Sequence, residues 1–409
     1  MLQASHRGLL AVFGSTLFQL VGIFMLSPLL LLMLKQAGVS NTVAGLFAAT
    51  TWLGIFTITP FASGLVRWLG RRRALWLASG LPLLTVCGFL FTRSLPVWFG
   101  LELLASMAGG LRWVLAESFI AEFAPEQQRG RLIGAYATLI GLTMVIGPAL
   151  VAWLGVDSRY GLGAVLAMLV LGLSWTLLIP RTPVAHDAES ASVGLRGLWH
   201  AIAAHPVVML AGFVAGFFEL GLGSVLPLYG LSLGMATGAA ALLLSVSGAG
   251  GTVFAIPAGM LADRFADPAR GRHRLMLLLV GLLAFASATG FAVPAWPVLV
   301  WPVALVWGAA GGTLYTLTML DIGSRERGIT LVNSTSVLVL TYTLGALVAS
   351  SCAGALLDWS PALVFPGTLL AVALAGWGVL WHSRRSCGTD LQFHDSGGVG
   401  HSQPDGDSA

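Results

Sequence analysis

Four ionisable residues, Glu102, Arg112, Glu117 and Glu219, stand inside long apolar stretches of the chain. A charge at the centre of an apolar helix in lipid costs roughly 2.5–3.5 kcal/mol on insertion scales, so such residues are kept for a partner or for a task. Glu219 is the sharpest of them, because counting about 1.5 Å per helical residue from Pro206 places it well inside a bilayer. A carboxylate deprived of water favours its neutral form, holding a proton and releasing it when water or a cation arrives. That chemistry makes Glu219, with Glu117 as a second acid, a candidate for proton coupling. Arg112 and Glu117 are five residues apart, about 140° around a helix, so they do not pair as i, i+4 neighbours do. Arg112 can instead hold an anionic part of a ligand or compensate Glu219, and Glu117 can anchor a gate. Trp113, Thr313, Tyr315 and Thr318 can add stacking and hydrogen bonds, although such side chains on apolar helices are more often packing. Glu102 lies a few residues from the end of its run, where a structural ion pair or a side chain reaching the interface explains it as well.

The elements that must position these residues follow from composition. Of 409 residues, 56% are hydrophobic and 9% charged, with a mean hydropathy of +0.87, which leaves too few polar groups to cover a soluble surface. About twenty helical residues span roughly 30 Å of hydrocarbon. By that ruler twelve crossings fall at 9–34, 43–66, 74–93, 97–121, 132–155, 161–180, 206–229, 237–261, 275–293, 298–320, 329–355 and 362–381. They must be helices, since backbone polar groups in lipid have to be satisfied within the segment and the runs are too long for barrel strands. The first run is too long for a signal-peptide core and is expected to stay as an anchor.

Of the 21 Lys and Arg residues, seventeen fall on one side of this series, among them Arg67, Arg71, Arg72, Arg73, Arg264 and Arg272. Lys35, Arg93 and Arg159 fall on the other, and Arg112 lies within a run. The bias places both termini in the cytoplasm. Short loops carry these arginines, so the net charge of +4 orients helices toward an anionic leaflet rather than marking a nucleic-acid partner. The eight histidines lie outside the expected crossings, which leaves no intramembrane His dyad or metal cluster. With no G-x-S-x-G elbow and no Walker A loop, an enzyme or a primary pump is not expected, and neither is a cofactor. Cys87, Cys352 and Cys387 are too few and too scattered for a framework of bridges.

Sliding the chain against itself by 196 to 200 residues brings Phe18-Gln19-Leu20 onto Phe218-Glu219-Leu220, Pro28 onto Pro227, Leu65 onto Leu261, Glu122 onto Asp321, and Arg129-Gly130 onto Arg327-Gly328. Matches in one order at one offset argue for duplication: a six-helix half over 1–180 and a second over 206–382. Such a body has its cavity between the halves near the midplane. The linker, 181–205, places Leu195, Leu198, Trp199 and Ile202 at helical spacing and is expected to form a short surface helix. The Gly-, Asp- and Ser-rich stretch over 383–409 is expected to be disordered.

Gly259-Met260-Leu261-Ala262-Asp263-Arg264, followed by Gly271-Arg272, resembles the G-x-L-A-D-R-x-G-R loop signature of the major facilitator superfamily. The first-half loop, Leu65 to Arg73, keeps Gly70 and the arginines but has Arg67 where the family has Asp. Trp113 to Ser118, Arg129-Gly130-Arg131, Pro227-Leu228-Tyr229 and Leu314-Tyr315 are similar to a bacterial branch of permeases within it. The resemblance implies a fold of twelve helices in two pseudo-symmetric six-helix bundles. It also implies a cavity lined by the first, fourth, seventh and tenth helices, hence by Gln19 and Glu219. Two departures stand out: Glu102 occupies the place of a family arginine in the fourth helix, and Thr143 and Val151 replace glycines around Gly147-Pro148 of the antiporter motif.

The loop charges are expected to form a cytoplasmic gate by pairing. Arg71, Arg72 and Arg73 can reach Glu122, while Asp263, Arg264 and Arg272 can do the same with Asp321; a solvated topology anchor is the plainer alternative. The expected function is secondary active transport of a small molecule by a monomer in the inner or plasma membrane. Proton-driven export of a largely apolar or amphiphilic compound is favoured by sparse intramembrane charge, many aromatic and Met residues and the partial antiporter motif. Proton-coupled uptake of a sugar or other nutrient is the alternative, and a non-transporting sensor a more distant one.

Overall fold

The computed structural model describes residues 2–409 except 124–128, 157, 181–202, 204–205, 266, 326–327 and 396–409. Among the described residues there is no strand, and twelve helices are long and apolar enough to cross a membrane. They are α1 (Leu2–Gln36), α2 (Asn41–Ile58, continued by Ala62–Leu69), α3 (Arg71–Phe91), α4 (Leu95–Phe123), α5 (Arg129–Leu154) and α6 (Ser158–Leu177). The second half holds α7 (Pro206–Gly216 and Leu222–Ser232), α8 (Thr237–Asp263), α9 (Pro268–Thr289), α10 (Val300–Arg325), α11 (Gly328–Trp359) and α12 (Val364–Asp395). The expected surface helix of the linker lies outside the described residues apart from Ala203. Of the stretch expected to be disordered over 383–409, the part as far as Asp395 is instead helical, because α12 continues past its apolar run, and 396–409 lie outside the described residues.

Two of the twelve are not regular. Within α2, Pro60 lacks the N–H that an α-helix needs, and Thr59–Phe61 tightens into a 3-10 turn. The turn into α3 passes through Gly70 at φ +80° and ψ 144°, a conformation that side chains disfavour. In α7, Phe217–Gly221 forms a π-helical turn, with the Leu222 N–H reaching back to the Phe217 carbonyl. Two of the histidines expected outside the crossings, His273 and His382, fall in the end turns of apolar helices. These helices run further toward the Arg-rich end than hydropathy alone suggests. His273 bonds the Leu380 carbonyl there, tying α9 to α12.

Packing repeats the duplication. In the first half α1 packs on α5 and α6, α2 on α4, and α3 on α4 and α6; in the second, α7 packs on α11 and α12, α8 on α10, and α9 on α10 and α12. Adding six to each label of the first set gives the second. The halves meet along two seams, α2 with α11 and α5 with α8, and the same shift exchanges them. Small residues let the backbones approach, as membrane helices without a hydrophobic driving force require. A Cβ on Gly45 would sit 2.8 Å from the Ser350 carbonyl, and one on Gly248 3.2 Å from the Met144 carbonyl.

The seams close from the Lys35 end to mid-depth. At that end Asp358 of α11 caps the first turn of α2, accepting from the Asn41 N–H at 3.1 Å and from the Thr42 N–H and hydroxyl at 2.7 Å each. Exposed helix N–H groups welcome a carboxylate for both hydrogen-bonding and dipolar reasons. Along α5 and α8 the contacts run through Gly238 on Ala152 and Ser245 on Val145 to Gly141 on Thr252. Two turns further toward the Arg-rich end, a Cβ on Gly134 would meet nothing within 4 Å.

Candidate functional site

The π turn of α7 builds the first part of the site. Gly216 and Gly221, five residues apart, would lie about 140° apart on an α-helix; the extra residue in the turn brings both to face α11. A Cβ on Gly221 would come 2.5 Å from the Ala346 carbonyl, and one on Gly216 would run into the Tyr342 carbonyl. Glu219, on the same turn, projects into a notch floored by glycines: Gly311 and Gly312 of α10 and Gly251 of α8. A Cβ on Gly312 would stand 2.8 Å from Glu219 Oε1. The other carboxylate oxygen, Oε2, accepts a 2.5 Å hydrogen bond from the Tyr342 hydroxyl of α11. Tyr342 packs on Tyr315 of α10 with ring centroids 4.3 Å apart and planes tilted by 34°. Glu219 is half-buried, so the acid keeps a route to the space between the halves.

Glu117 of α4 supplies the second acid. It is exposed and accepts the Trp113 indole N–H at 2.6 Å, one helical turn away. Tyr315 lies within electrostatic range of Glu117 and Glu219 together, and Tyr136 of α5 within range of Arg112 and Glu117. Arg112, Tyr136 and Glu117 of the first half and Tyr315, Glu219 and Tyr342 of the second thus form a loose cluster of polar groups. Arg112 has its one described hydrogen bond within the first half. It is 4% exposed and donates to Ser15 of α1 at 2.7 Å. Ser15 in turn bonds Thr176 of α6, also at 2.7 Å.

Several sequence expectations change at this point. Gln19, the duplicate of Glu219, does not line the space between the halves: it is fully buried and donates to the carbonyls of Ser79 (3.1 Å) and Leu169 (3.3 Å) on α3 and α6. Arg112 makes no ion pair with Glu219. Thr313 and Thr318 are buried; Thr318 returns its hydroxyl to the Tyr315 carbonyl at 2.6 Å, and neither bonds either acid. Glu102 sits buried between α2 and α4 with a 2.6 Å bond from Thr51, a local structural role. Sequence reasoning missed Tyr342, Tyr136 and Ser15. The one available signal was that tyrosines are scarce here, five in 409 residues, and three of them gather at this site.

The loop residues form clamps within each half. Asp321 is buried between two guanidinium groups: Arg272 of α9 (Nε–Oδ1, 3.2 Å) and Arg325 one turn along α10 (Nε–Oδ2, 3.0 Å). Arg272 also bonds Ser324 at 2.7 Å. In the first half, Arg71 bonds Ser118 at 3.1 Å and lies 4.5 Å over the Phe119 ring, while Arg72 lies over Trp76. Arg67, Arg73 and Arg264 are exposed, Gly70 makes the α2–α3 turn, and Gly259 sits beside Leu320. The side chains of Glu122 and Asp263 lie outside the described residues. The Arg272–Asp321 pair therefore joins α9 to α10 rather than one half to the other. Asp321→Ala leaves Arg272 buried without its anion. It should cost about 3–5 kcal/mol, read as a lowered melting temperature of detergent-purified protein. A loss under about 1 kcal/mol would mark the pair as solvated.

Among the described residues no cluster of His, Cys, Asp or Glu could hold a metal. A family model described as Major Facilitator Superfamily matches residues 12–336. The chain is 24% identical over 336 residues to the uncharacterized MFS-type transporter YfkF of Bacillus subtilis, covering 81% of this chain and 83% of that one. It is 26% identical over 349 residues to the uncharacterized MFS-type transporter YcaD of Salmonella typhimurium, covering 84% and 88%. In fold it is similar to a crystal structure of the nucleoside transporter NupG, with a TM-score of 0.73 at 14% identity over 94% of this chain and 99% of that one.

Proposed function

Since the chain belongs to the major facilitator superfamily, a group of membrane transporters, we propose that it is a proton-coupled exporter of a largely apolar or amphiphilic compound, working as a monomer in the inner or plasma membrane. The observation that carries the reading is the Glu219 carboxylate, set by a π turn into a glycine notch and bonded by Tyr342. An acid so placed takes a proton when the site is open to one side and gives it up on the other, provided the halves rock. With the Arg-rich end in the cytoplasm, seams closed at the Lys35 end support an inward-open form.

The lining favours an apolar cargo: Trp113 and Tyr315, both part-exposed, offer faces, whereas Gln19, the amide that a sugar site would use, is turned into the first half. The deciding experiment uses inverted membrane vesicles, with the Arg-rich face outward and an acidified lumen. Amphiphilic dyes should accumulate inside while the lumen loses protons. Accumulation that needs the opposite gradient, or that moves no protons, would reject proton-driven export.

A further inference from the structure

Arg112 is a cation without an anion. Its guanidinium lies in the membrane-embedded middle of α4, 4% exposed, and its Nε has no hydrogen-bond partner. Its one described bond is to the neutral Ser15 hydroxyl, which leads on through Thr176 toward Ser79. The acids of the membrane interior are engaged elsewhere: Glu117 with Trp113, Glu219 with Tyr342, Glu102 with Thr51. An arginine does not shed its proton, and a buried charge left unpaired is strongly unfavourable. A framework would be more stable without it. Such a group persists where an anion visits.

We propose that Arg112 and Ser15 form an anion-recognising subsite, so that the transported molecule carries a carboxylate, or an anionic group of that size, on an apolar body. This rests on the reading that the space between the halves is the substrate site, and it narrows the substrate class. The planar guanidinium fork matches a carboxylate in two parallel bonds. Ser15, bonded to Arg112, and Tyr136 of α5, whose hydroxyl bonds Thr16 next to Ser15 on α1 at 3.3 Å, add neutral hydroxyls that do not compete for its charge. Trp113 follows on α4 and Tyr315 stands on α10, and these two part-exposed rings offer the flat faces for the apolar body. An anion that satisfies Arg112 leaves Glu117 and Glu219 free to exchange protons.

The test measures melting of the purified full-length protein with benzoate, 1-naphthoate and octanoate, each against its neutral amide. Carboxylates should bind the wild type roughly tenfold or more tightly than the amides, as charged hydrogen bonds imply. The preference should vanish in Arg112→Met and persist, weakened, in Arg112→Lys. Ligand-free Arg112→Met should melt no lower than wild type. Amides stabilising as well as carboxylates, a preference that survives in the Met variant, a lower ligand-free melting temperature, or failure of both variants to fold would each overturn the proposal. The measurement needs no proton gradient. Loss of proton coupling would therefore leave its result standing, and an absent carboxylate preference would leave proton coupling untouched.

Discussion

Vesicles holding the Glu219→Gln protein should lose gradient-driven accumulation by at least about tenfold, the loss of one proton-transfer group being worth more than this in most sites. Gln keeps the size of Glu and an oxygen able to accept from Tyr342, so the notch of Gly251, Gly311 and Gly312 should stay filled and the melting temperature should hold. What disappears is the exchangeable proton. Downhill movement of compound should survive, and a pH gradient should no longer drive it uphill. Wild-type accumulation in the variant would remove Glu219 from the coupling scheme. A parallel fall in melting temperature would assign it to the fold instead.

The second large effect is expected far from any charge. At the crossing of α8 and α10, the backbones touch: a Cβ on Gly308 would run into the Ser247 carbonyl, and one on Gly250 would come 2.9 Å from the Ala309 nitrogen. The obstacle is main chain, which cannot swing aside as a side chain does. Gly308→Val should therefore cost at least the upper end of the overpacking range, about 3 kcal/mol, and yield little monodisperse protein by size-exclusion chromatography. Gly163→Ala is the matched control, since its Cβ would meet nothing within 4 Å. There Ala should be neutral or slightly stabilising, as helix propensity dictates. Equal behaviour of the two variants would mean that α8 and α10 are not held at this distance.

How much could be read in advance divides along physical lines. Hydropathy alone locates twelve helices, because a bilayer sets one length for all of them. The offset of about 200 residues finds the duplication that packing repeats helix by helix. Glu219 stood out because an isolated acid in an apolar run is costly. Its partners did not, because partners depend on helix rotation, which hydrophobicity hardly constrains when both sides of a helix are apolar. Gln19 is the clearest instance. It is the sequence mate of Glu219, yet α1 is α-helical throughout, while α7 gains a residue in its π turn. That one residue turns the two side chains toward different neighbours. The Arg272–Asp321 pair was foreseen from loop chemistry, but its confinement to one half was not, since spacing reports proximity along a helix and not which body a helix moves with.

The α2–α11 and α5–α8 seams behave like plain bearings. Backbone and small side chains make up much of the mating surface, as where Gly45 rests on Gly354 with no side chain on either face, so little interlocks and little has to be unseated as the surfaces tilt. The clasp is Asp358 on the first turn of α2. If the halves rock as proposed, a lever so mounted would turn with low friction about its pivots and be stopped chiefly at its rim, where Asp358 fastens it.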